Sequence, residues 1–230
     1  MQTELMQLFK LTGLGLAFLL PLANPLTSMV LYLSLGESLT AQQKQQQLRQ
    51  ATLYVIAALL VTYYAGLWIT SALGISVVDM RIAGGLIVAY IGFRMLFPPA
   101  VSDVVSQAAD QNNAANNNIA FVPLTLPSTV GPGTMALVIS ASSKMEGMRD
   151  HYAEWVLWSV PVILALLIGL LFFVCLRSSL SIVKLIGHNG VDAISRIMGF
   201  LLVCMAVQLV LEGGQQYAAS LLMHHAGPAS

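Results

Sequence analysis

The stretches Pro21-Leu-Ala-Asn-Pro25-Leu-Thr27 and Pro127-Ser-Thr-Val-Gly-Pro132-Gly-Thr134 decide how this chain is built. Each lies in the first long apolar run of its half of the sequence, and neither contains an ionisable side chain. Proline lacks a backbone hydrogen-bond donor and clashes with the preceding helical turn. In lipid, such interrupted helices persist only where they face protein or a polar cavity. Paired interruptions at corresponding positions of two halves therefore indicate the binding site of a transporter.

The composition is that of an integral membrane protein. Hydrophobic residues make up 57% of the 230 residues, charged residues only 9%, and the mean hydropathy is +0.78. A soluble domain of this length carries about 25% charged residues. An apolar run of about 17 residues or more is long enough to cross a bilayer as a helix. The chain contains six such spans, near residues 8–35, 50–73, 80–97, 119–140, 153–176 and 194–212.

The two halves of the chain resemble each other. Arg81-Ile-Ala-Gly84-Gly-Leu86-Ile-Val88 matches Arg196-Ile-Met-Gly199-Phe-Leu201-Leu-Val203 at five of eight positions. A unit of three spans begins and ends on opposite sides of the membrane, so its second copy is inverted. We therefore predict an all-α integral membrane protein of six transmembrane helices in two inverted three-helix repeats, each with a broken first helix. The predicted parts are a first repeat at 1–97, a low-complexity linker at 98–118, a second repeat at 119–212 and a polar tail at 213–230.

The two interruptions offer neutral polar groups to a small solute. Pro25 frees the backbone carbonyl of Pro21, and loose carbonyls of this kind suit a cation such as Na⁺. Pro132 frees the carbonyl of Ser128 in the same way. The free amides at the amino end of a half-helix favour a carboxylate. A small zwitterion matches both features, and the predicted substrate-binding residues are Asn24, Pro25, Thr27, Ser28, Ser128, Thr129, Gly131, Gly133 and Thr134.

The structural alternative for these residues is simple kinking of membrane helices. Ser and Thr side chains then bond back to their own backbone, and no cavity is needed. We favour a site because the interruptions are paired and symmetrically placed. Asn24 weighs most, since a side-chain amide is costly in hydrocarbon without partners.

Other function classes lack their sequence signatures. Ten basic and ten acidic residues balance, which gives no case for nucleic acid binding. The sequence contains no His-Glu-x-x-His, no Gly-x-Ser-x-Gly and no paired intramembrane acids, so we expect no enzyme and no metal or cofactor besides Na⁺ as a coupling ion. The Asp and Glu residues lie outside the apolar runs, which argues against an exporter of cationic drugs. A structural or regulatory membrane role remains the main alternative.

The distribution of basic residues predicts the orientation. Six Lys and Arg residues flank one side of the spans and four flank the other, and the richer side faces the cytoplasm in bacteria. This bias places both termini in the periplasm. The first apolar run continues to Leu35, too long for the core of a signal peptide, so we expect no cleavage.

Several stretches resemble the MarC family of bacterial inner-membrane proteins. They are Leu-Ala-Asn24-Pro25, Arg81-Ile-Ala-Gly-Gly-Leu-Ile-Val, Ile91-Gly-Phe-Arg-Met-Leu-Phe, Pro127-Ser-Thr-Val-Gly-Pro-Gly-Thr134 and Ser195-Arg-Ile-Met-Gly-Phe-Leu-Leu-Val-Cys204. The resemblance fails only in the linker and the tail. It implies a six-span protein of the cytoplasmic membrane, and one branch of the family is associated with Na⁺-dependent transport of small neutral amino acids.

The resemblance agrees with a secondary transporter that binds a small neutral solute, foremost a small neutral amino acid, near the bilayer midplane. Its expected partners are the lipid bilayer and a small-molecule substrate. It transfers no individual binding residue to this chain. Substrate identity, coupling ion, direction of transport and homo-oligomerisation stay open, as does any part in antibiotic resistance.

Overall fold

In a computed structural model of the chain, the described residues are 2–23, 25–36, 39–97, 120–125, 129–146 and 152–225. They form helices and turns, with no strand among them. In chain order the elements are α1 (Gln2–Ala23), α2 (Pro25–Leu35), α3 (Ala41–Ala72), α4 (Val77–Leu96), a π-helical segment (Ala120–Thr125), α5 (Pro132–Glu146), α6 (Glu154–Arg177) and α7 (Ser179–His225).

Local sequence sets the start of α3 and of α4. The Thr40 hydroxyl accepts the backbone amide of Gln43 at 3.3 Å, while the Thr40 amide donates to the Gln43 side chain at 2.9 Å. This reciprocal pair is a capping box, which satisfies two amides at the helix start. The Ser76 hydroxyl accepts the amide of Asp79 at the start of α4. In the tight turn between the two helices, Gly74 has a φ of 70°, a conformation that favours glycine.

Four helical segments are long and apolar enough to cross a membrane, in agreement with the predicted all-α integral membrane protein. They are Glu4–Ala23, Ala41–Ala72, Glu154–Arg177 and Gly190–Leu222. Helix α4 has 20 residues, which also suffices for the hydrocarbon core, but it carries Asp79, Arg81 and Arg94. The remaining predicted span, 119–140, falls on the π-helical segment and α5, with a turn between them. Six crossings therefore remain a prediction.

The helices extend beyond the predicted spans at several ends. Helix α3 begins at Ala41, well before residue 50, and α7 continues past residue 212 through His225. Residues 213–225 of the predicted polar tail are thus helical. The predicted spans end at ionisable residues. The helices continue further, because their backbone hydrogen bonds form equally well in polar sequence. The predicted linker at 98–118 lies outside the described residues.

The second of the two predicted interruptions is seen directly. Residues 129–131 form a turn between the π-helical segment and α5. Pro132 opens α5, a position where a missing amide costs nothing because that amide has no partner within the helix. The first interruption centres on Asn24, which lies outside the described residues, with α1 ending at Ala23 on one side of it. Pro21 lies inside α1.

Helices α4 and α7 pack closely and run antiparallel. A Cβ atom on Gly92 would lie 2.8 Å from the carbonyl oxygen of Gly199, and one on Gly85 would lie 2.9 Å from that of Ala206. On the same helix, a Cβ on Gly84 would lie 2.4 Å from the Ala136 methyl carbon of α5. The absence of side chains at these three glycines therefore allows α7 and α5 to approach α4 closely.

One apolar core joins elements from both halves of the chain. Helix α3 packs against the π-helical segment, α5 and α6, and α6 packs against α1 and α2. Helix α4 packs against both α5 and α7. The buried core includes Leu19, Met29, Val55, Val88, Leu137, Phe172 and Leu202. The halves are therefore interleaved rather than side by side as separate domains.

Candidate functional site

The two interrupted segments meet through a pair of buried hydroxyl groups. Ser28 on α2 and Thr129 in the turn before α5 lie 3.0 Å apart, Oγ to Oγ1, and either can donate. The exposed fraction is 0% for Ser28 and 1% for Thr129. These two residues are separated by 101 positions in the sequence. The structure thus brings together two of the residues that the sequence assigned to one site. We call this place the hydroxyl junction.

Hydrogen bonds anchor the turn that carries Thr129. Its hydroxyl donates to the carbonyl of Leu124 at 3.0 Å, and the Thr134 hydroxyl donates to the carbonyl of Thr129 at 3.2 Å. The backbone amides of Thr129 and Val130 both bond the carbonyl of Thr125, at 3.2 and 2.9 Å. The amides of Thr129 and Val130 are therefore satisfied within the segment, as a buried membrane segment requires.

The π-helical segment is in turn tied to α3. The Thr125 hydroxyl donates to the carbonyl of Ala120 at 2.7 Å and lies 3.4 Å from the carbonyl of Ala51. The amide of Ala120 donates to the Gln47 side chain at 2.9 Å. The position of the turn consequently depends on α3 as well as on its own sequence.

The amino end of α5 is buried beside the hydroxyl junction. Gly131 and Gly133 are both buried, and a Cβ on Gly133 would lie 2.8 Å from the Val88 methyl carbon of α4. Because the first amides of a helix have no intrahelical acceptor, they can bind an anion, and the helix dipole favours negative charge there. The arrangement provides hydroxyls, a helix amino end and no ionisable side chain among these residues.

The structure describes some of the predicted site residues and leaves others outside the described part of the chain. Ser28 of α2 contacts Thr129 in the turn before α5, and Gly131, Gly133 and Thr134 lie in that turn and the first residues of α5. Pro25 is buried at the start of α2 and Pro21 is buried in α1. Asn24, Ser128 and the side chain of Thr27 lie outside the described part of the chain. Among the described residues, no group of three His, Cys, Asp or Glu side chains could hold a metal ion.

Two cavities are described, and neither is lined by the predicted site residues. One, of about 200 Å³, lies among α1, α3, α5, α6 and α7, and the other, of about 520 Å³, lies between the ends of α3, α5 and α6. Met29 and Val88, near the hydroxyl junction, are fully buried. Among the described residues of the interruptions, the Ser28 and Thr129 hydroxyls bond directly to each other.

Sequence reasoning missed a second group of polar residues. The sequence assigned Arg81 to the internal repeat and to the end of a span but to no site, yet it is 4% exposed, and its Nε donates to the Ser140 hydroxyl at 2.7 Å. Its Nη1 donates to the side chain of Gln216 on α7. Nearby, Lys144 of α5 forms an ion pair with Glu212 of α7. The available signal was a charge within the first turns of an apolar helix, where an ionisable residue is a functional candidate.

Comparison with known proteins agrees with the resemblance. The model of the MarC family of integral membrane proteins matches residues 9–217. An inner membrane protein MarC of Salmonella typhimurium is 47% identical over 216 residues, which cover 91% of this chain and 96% of that protein. An inner membrane protein MarC of Escherichia coli O1:K1 is 46% identical over 213 residues, with the same coverage of 91% and 96%. No solved structure matches the chain.

The match extends over both interrupted segments and all the long apolar helices. It includes the hydroxyl junction and the Arg81 group, and it leaves out only the first residues and the end of α7. The chain therefore belongs to the MarC family of integral membrane proteins.

Proposed function

We propose that this protein is a secondary transporter of a small neutral solute, foremost a small neutral amino acid, which binds at the hydroxyl junction. The observation that carries the proposal is the buried contact between Ser28 and Thr129, which joins the two interrupted segments. Transporters built from inverted repeats bind their substrate where discontinuous helices of the two repeats meet. The junction fulfils that description in its chemistry and in its place in the chain.

The packing supports an inverted repeat of two three-span units. Each half supplies an interrupted first segment that packs against the second helix of the other half, since α6 contacts α1 and α2 while α3 contacts the π-helical segment and α5. The third helices, α4 and α7, run antiparallel. Inversion of the second unit requires this direction. Six crossings and a junction near the midplane follow if each interrupted segment crosses once.

The chemistry of the junction fits a zwitterion. A substrate carboxylate would bind the free amides at the start of α5, where Gly131 and Gly133 leave the backbone accessible once the junction opens. The hydroxyls of Ser28 and Thr129 can accept the hydrogens of an ammonium group or coordinate Na⁺. A neutral solute suits the site because no charged side chain is described there. Opening requires the direct bond between the two hydroxyls to be exchanged for bonds to the solute.

The relatives named inner membrane protein MarC and the bias of basic residues lead us to place this protein in the bacterial inner membrane. Both termini then face the periplasm. The hydroxyl junction separates a periplasmic side, which holds the start of α1, from a cytoplasmic side, which holds the start of α3. Alternating access would open it to one side at a time.

The test is uptake of labelled glycine, alanine, serine and threonine into proteoliposomes, with and without a Na⁺ gradient. Thr129→Val removes the hydroxyl and keeps the branched shape, so we expect uptake to fall roughly tenfold or more. The matched control is Thr70→Val, because Thr70 is also buried but its hydroxyl bonds the carbonyl of Gly66 in its own helix at 2.9 Å. This control should keep uptake within about twofold of wild type.

Two results would contradict the proposal. Equal loss of uptake in Thr129→Val and Thr70→Val would show that the substrate does not bind at the hydroxyl junction. Flat uptake of every solute by wild type, with variants that fold and purify like wild type, would favour a structural or regulatory membrane role. Size-exclusion profiles and melting temperatures of the purified proteins separate loss of function from loss of folding.

A further inference from the structure

A cluster of three charged side chains joins α4, α5 and α7 away from the hydroxyl junction. It consists of Arg81, Lys144 and Glu212, and we call it the charged cluster. Lys144 and Glu212 form an ion pair, and Glu212 also interacts electrostatically with Arg81. The Gln208 side chain donates to the second Glu212 oxygen at 3.0 Å. Two cations thus share one carboxylate, and the cluster keeps a net charge of +1.

The buried cation of the cluster is held by neutral groups. Arg81 is 4% exposed, and its hydrogen-bond acceptors in the described part of the chain are Ser140 and Gln216. Burying a guanidinium without a directly paired anion is costly, and such residues in membrane helices mark functional sites. Glu212, which interacts electrostatically with Arg81, forms its ion pair with Lys144. Among the described residues, Arg81 therefore donates its hydrogen bonds to neutral groups.

Ser140 contacts both Arg81 and a cavity. The Ser140 hydroxyl accepts the Nε–H of Arg81 at 2.7 Å, and Ser140 also lines the cavity of about 200 Å³. A hydroxyl that accepts from a cation keeps its own hydrogen for another acceptor, and that hydrogen is a stronger donor because bonded groups polarise each other. The hydroxyl of Ser140 thus offers a donor to an anion in the cavity.

The cavity is amphipathic. Its polar end is formed by Ser140, Lys144, Gln208 and Glu212, and its remaining wall is apolar, with side chains such as those of Leu19, Leu59 and Leu164. Its volume is below the roughly 300–1,000 Å³ of sites for drug-sized ligands. A ligand for this space has a short apolar body and one polar head.

We infer that this cavity binds a small monocarboxylate with an apolar body. Its carboxylate would take bonds from the Lys144 ammonium and the Ser140 hydroxyl, and its single negative charge would neutralise the charged cluster. Arg81 does not contact the ligand but orients the Ser140 hydroxyl through their hydrogen bond. The apolar body would lie along α1, α3 and α6.

This site is distinct from the hydroxyl junction and does not rest on the proposed transport function. Along α4, Arg81 is seven residues before Val88, which packs against Gly133 at the start of α5. Seven residues of helix measure about 10 Å. Binding here can thus be measured without any uptake assay, and its failure would leave the transport proposal untouched.

The test is calorimetric titration of the intact protein in phosphatidylcholine nanodiscs, with empty nanodiscs as the blank. Hexanoate should bind, whereas hexanamide and hexylammonium, which share its apolar body, should not. Shortening hexanoate to butyrate should raise the Kd roughly tenfold or more, since each buried methylene contributes to binding. Equal binding of hexanoate and hexanamide would overturn the inference.

Removing the positive charge or the negative charge of the ion pair should change the Kd for hexanoate in opposite directions. Lys144→Gln should raise the Kd for hexanoate by roughly three- to tenfold, and Glu212→Gln should lower it by a similar factor because a competing anion is removed. The side chains of Lys144 and Glu212 are 44% and 29% exposed, so both variants should fold. Arg94→Gln on α4 is the control, since Arg94 is exposed beside Tyr90 and does not line the cavity.

Three outcomes would contradict the assignment to a monocarboxylate bound by the charged cluster. Weaker hexanoate binding by Glu212→Gln would show that the cluster does not act through its net positive charge. Loss of hexanoate binding when phosphatidylglycerol is added to the nanodiscs would assign the site to an anionic lipid headgroup instead. Unchanged hexanoate binding by Lys144→Gln would show that the Lys144 ammonium does not bind the carboxylate.

Discussion

Two glycines of α7, Gly199 and Gly214, differ sharply in their surroundings. A Cβ on Gly199 would lie 2.7 Å from the Met95 Cβ and 2.9 Å from the carbonyl oxygen of Gly92, whereas one on Gly214 would meet nothing within 4 Å. Backbone atoms cannot move aside as the end of a side chain can. The close contact of α4 and α7 therefore depends on the missing side chain at Gly199.

We predict that Gly199→Ala destabilises the protein by about 1–3 kcal/mol, because the added methyl group forces α4 and α7 apart. Gly214→Ala should be neutral or stabilising by up to about 1 kcal/mol, since alanine favours helix and has room there. Melting temperatures of both variants in the same detergent check this prediction. A similar loss of stability in both would mean that helix contact is not the cause.

Arg81 and Ser28 show how far single residues could be assigned before the fold was known. Ser28 and Thr129 were assigned to one candidate site because the paired prolines marked both segments as irregular, and the structure brings their hydroxyls within 3.0 Å. The role of Arg81 was missed, because a basic residue at the end of an apolar run is usually in contact with water. Its exposed fraction of 4% and its contacts with Ser140 and Gln216 show that it is buried.

At the scale of elements, α3 owes its early start to its cap. The reciprocal bonds between Thr40 and Gln43 satisfy amides that would otherwise lack partners at the helix start. This start lies in a polar segment that includes Gln47, and Gln47 bonds the π-helical segment. The cap thus stabilises the part of α3 that hydrogen-bonds the π-helical segment.

We predict that Thr40→Ala lowers stability by about 1 kcal/mol and speeds amide hydrogen exchange in the first turn of α3. Thr40→Ser should preserve both properties, because serine caps helices as well as threonine does. Gln42→Ala is the control, since Gln42 is exposed in the same turn and has no part in the cap. Exchange rates that respond equally to Thr40→Ala and Gln42→Ala would exclude the capping box as the stabilising feature.

The whole molecule is held together by contacts between its halves. The buried core combines residues of α1, α2, α3 and α4 with residues of α5, α6 and α7. Neither half can bury its apolar faces against protein without the other. Each half should therefore depend on its partner for a defined structure.

We predict that the chain can be divided within residues 98–118 and still assemble from two co-expressed pieces. A tag on one piece should capture the other in about equal amount, because the interleaved packing supplies the contacts that hold them together. Expressed alone, each piece should aggregate or be degraded. A single piece that stays monodisperse and resists protease would contradict the interleaved arrangement.

The sequence by itself determined the membrane class, the approximate helices and the two irregular segments. Hydrophobicity, run length and the missing amide of proline are local properties, so they can be read without the fold. Only the tertiary structure decided that Ser28 and Thr129 close the junction and that Arg81 lies against α5 and α7. These contacts join residues far apart in the chain, and they depend on how glycine faces let α4, α5 and α7 approach one another.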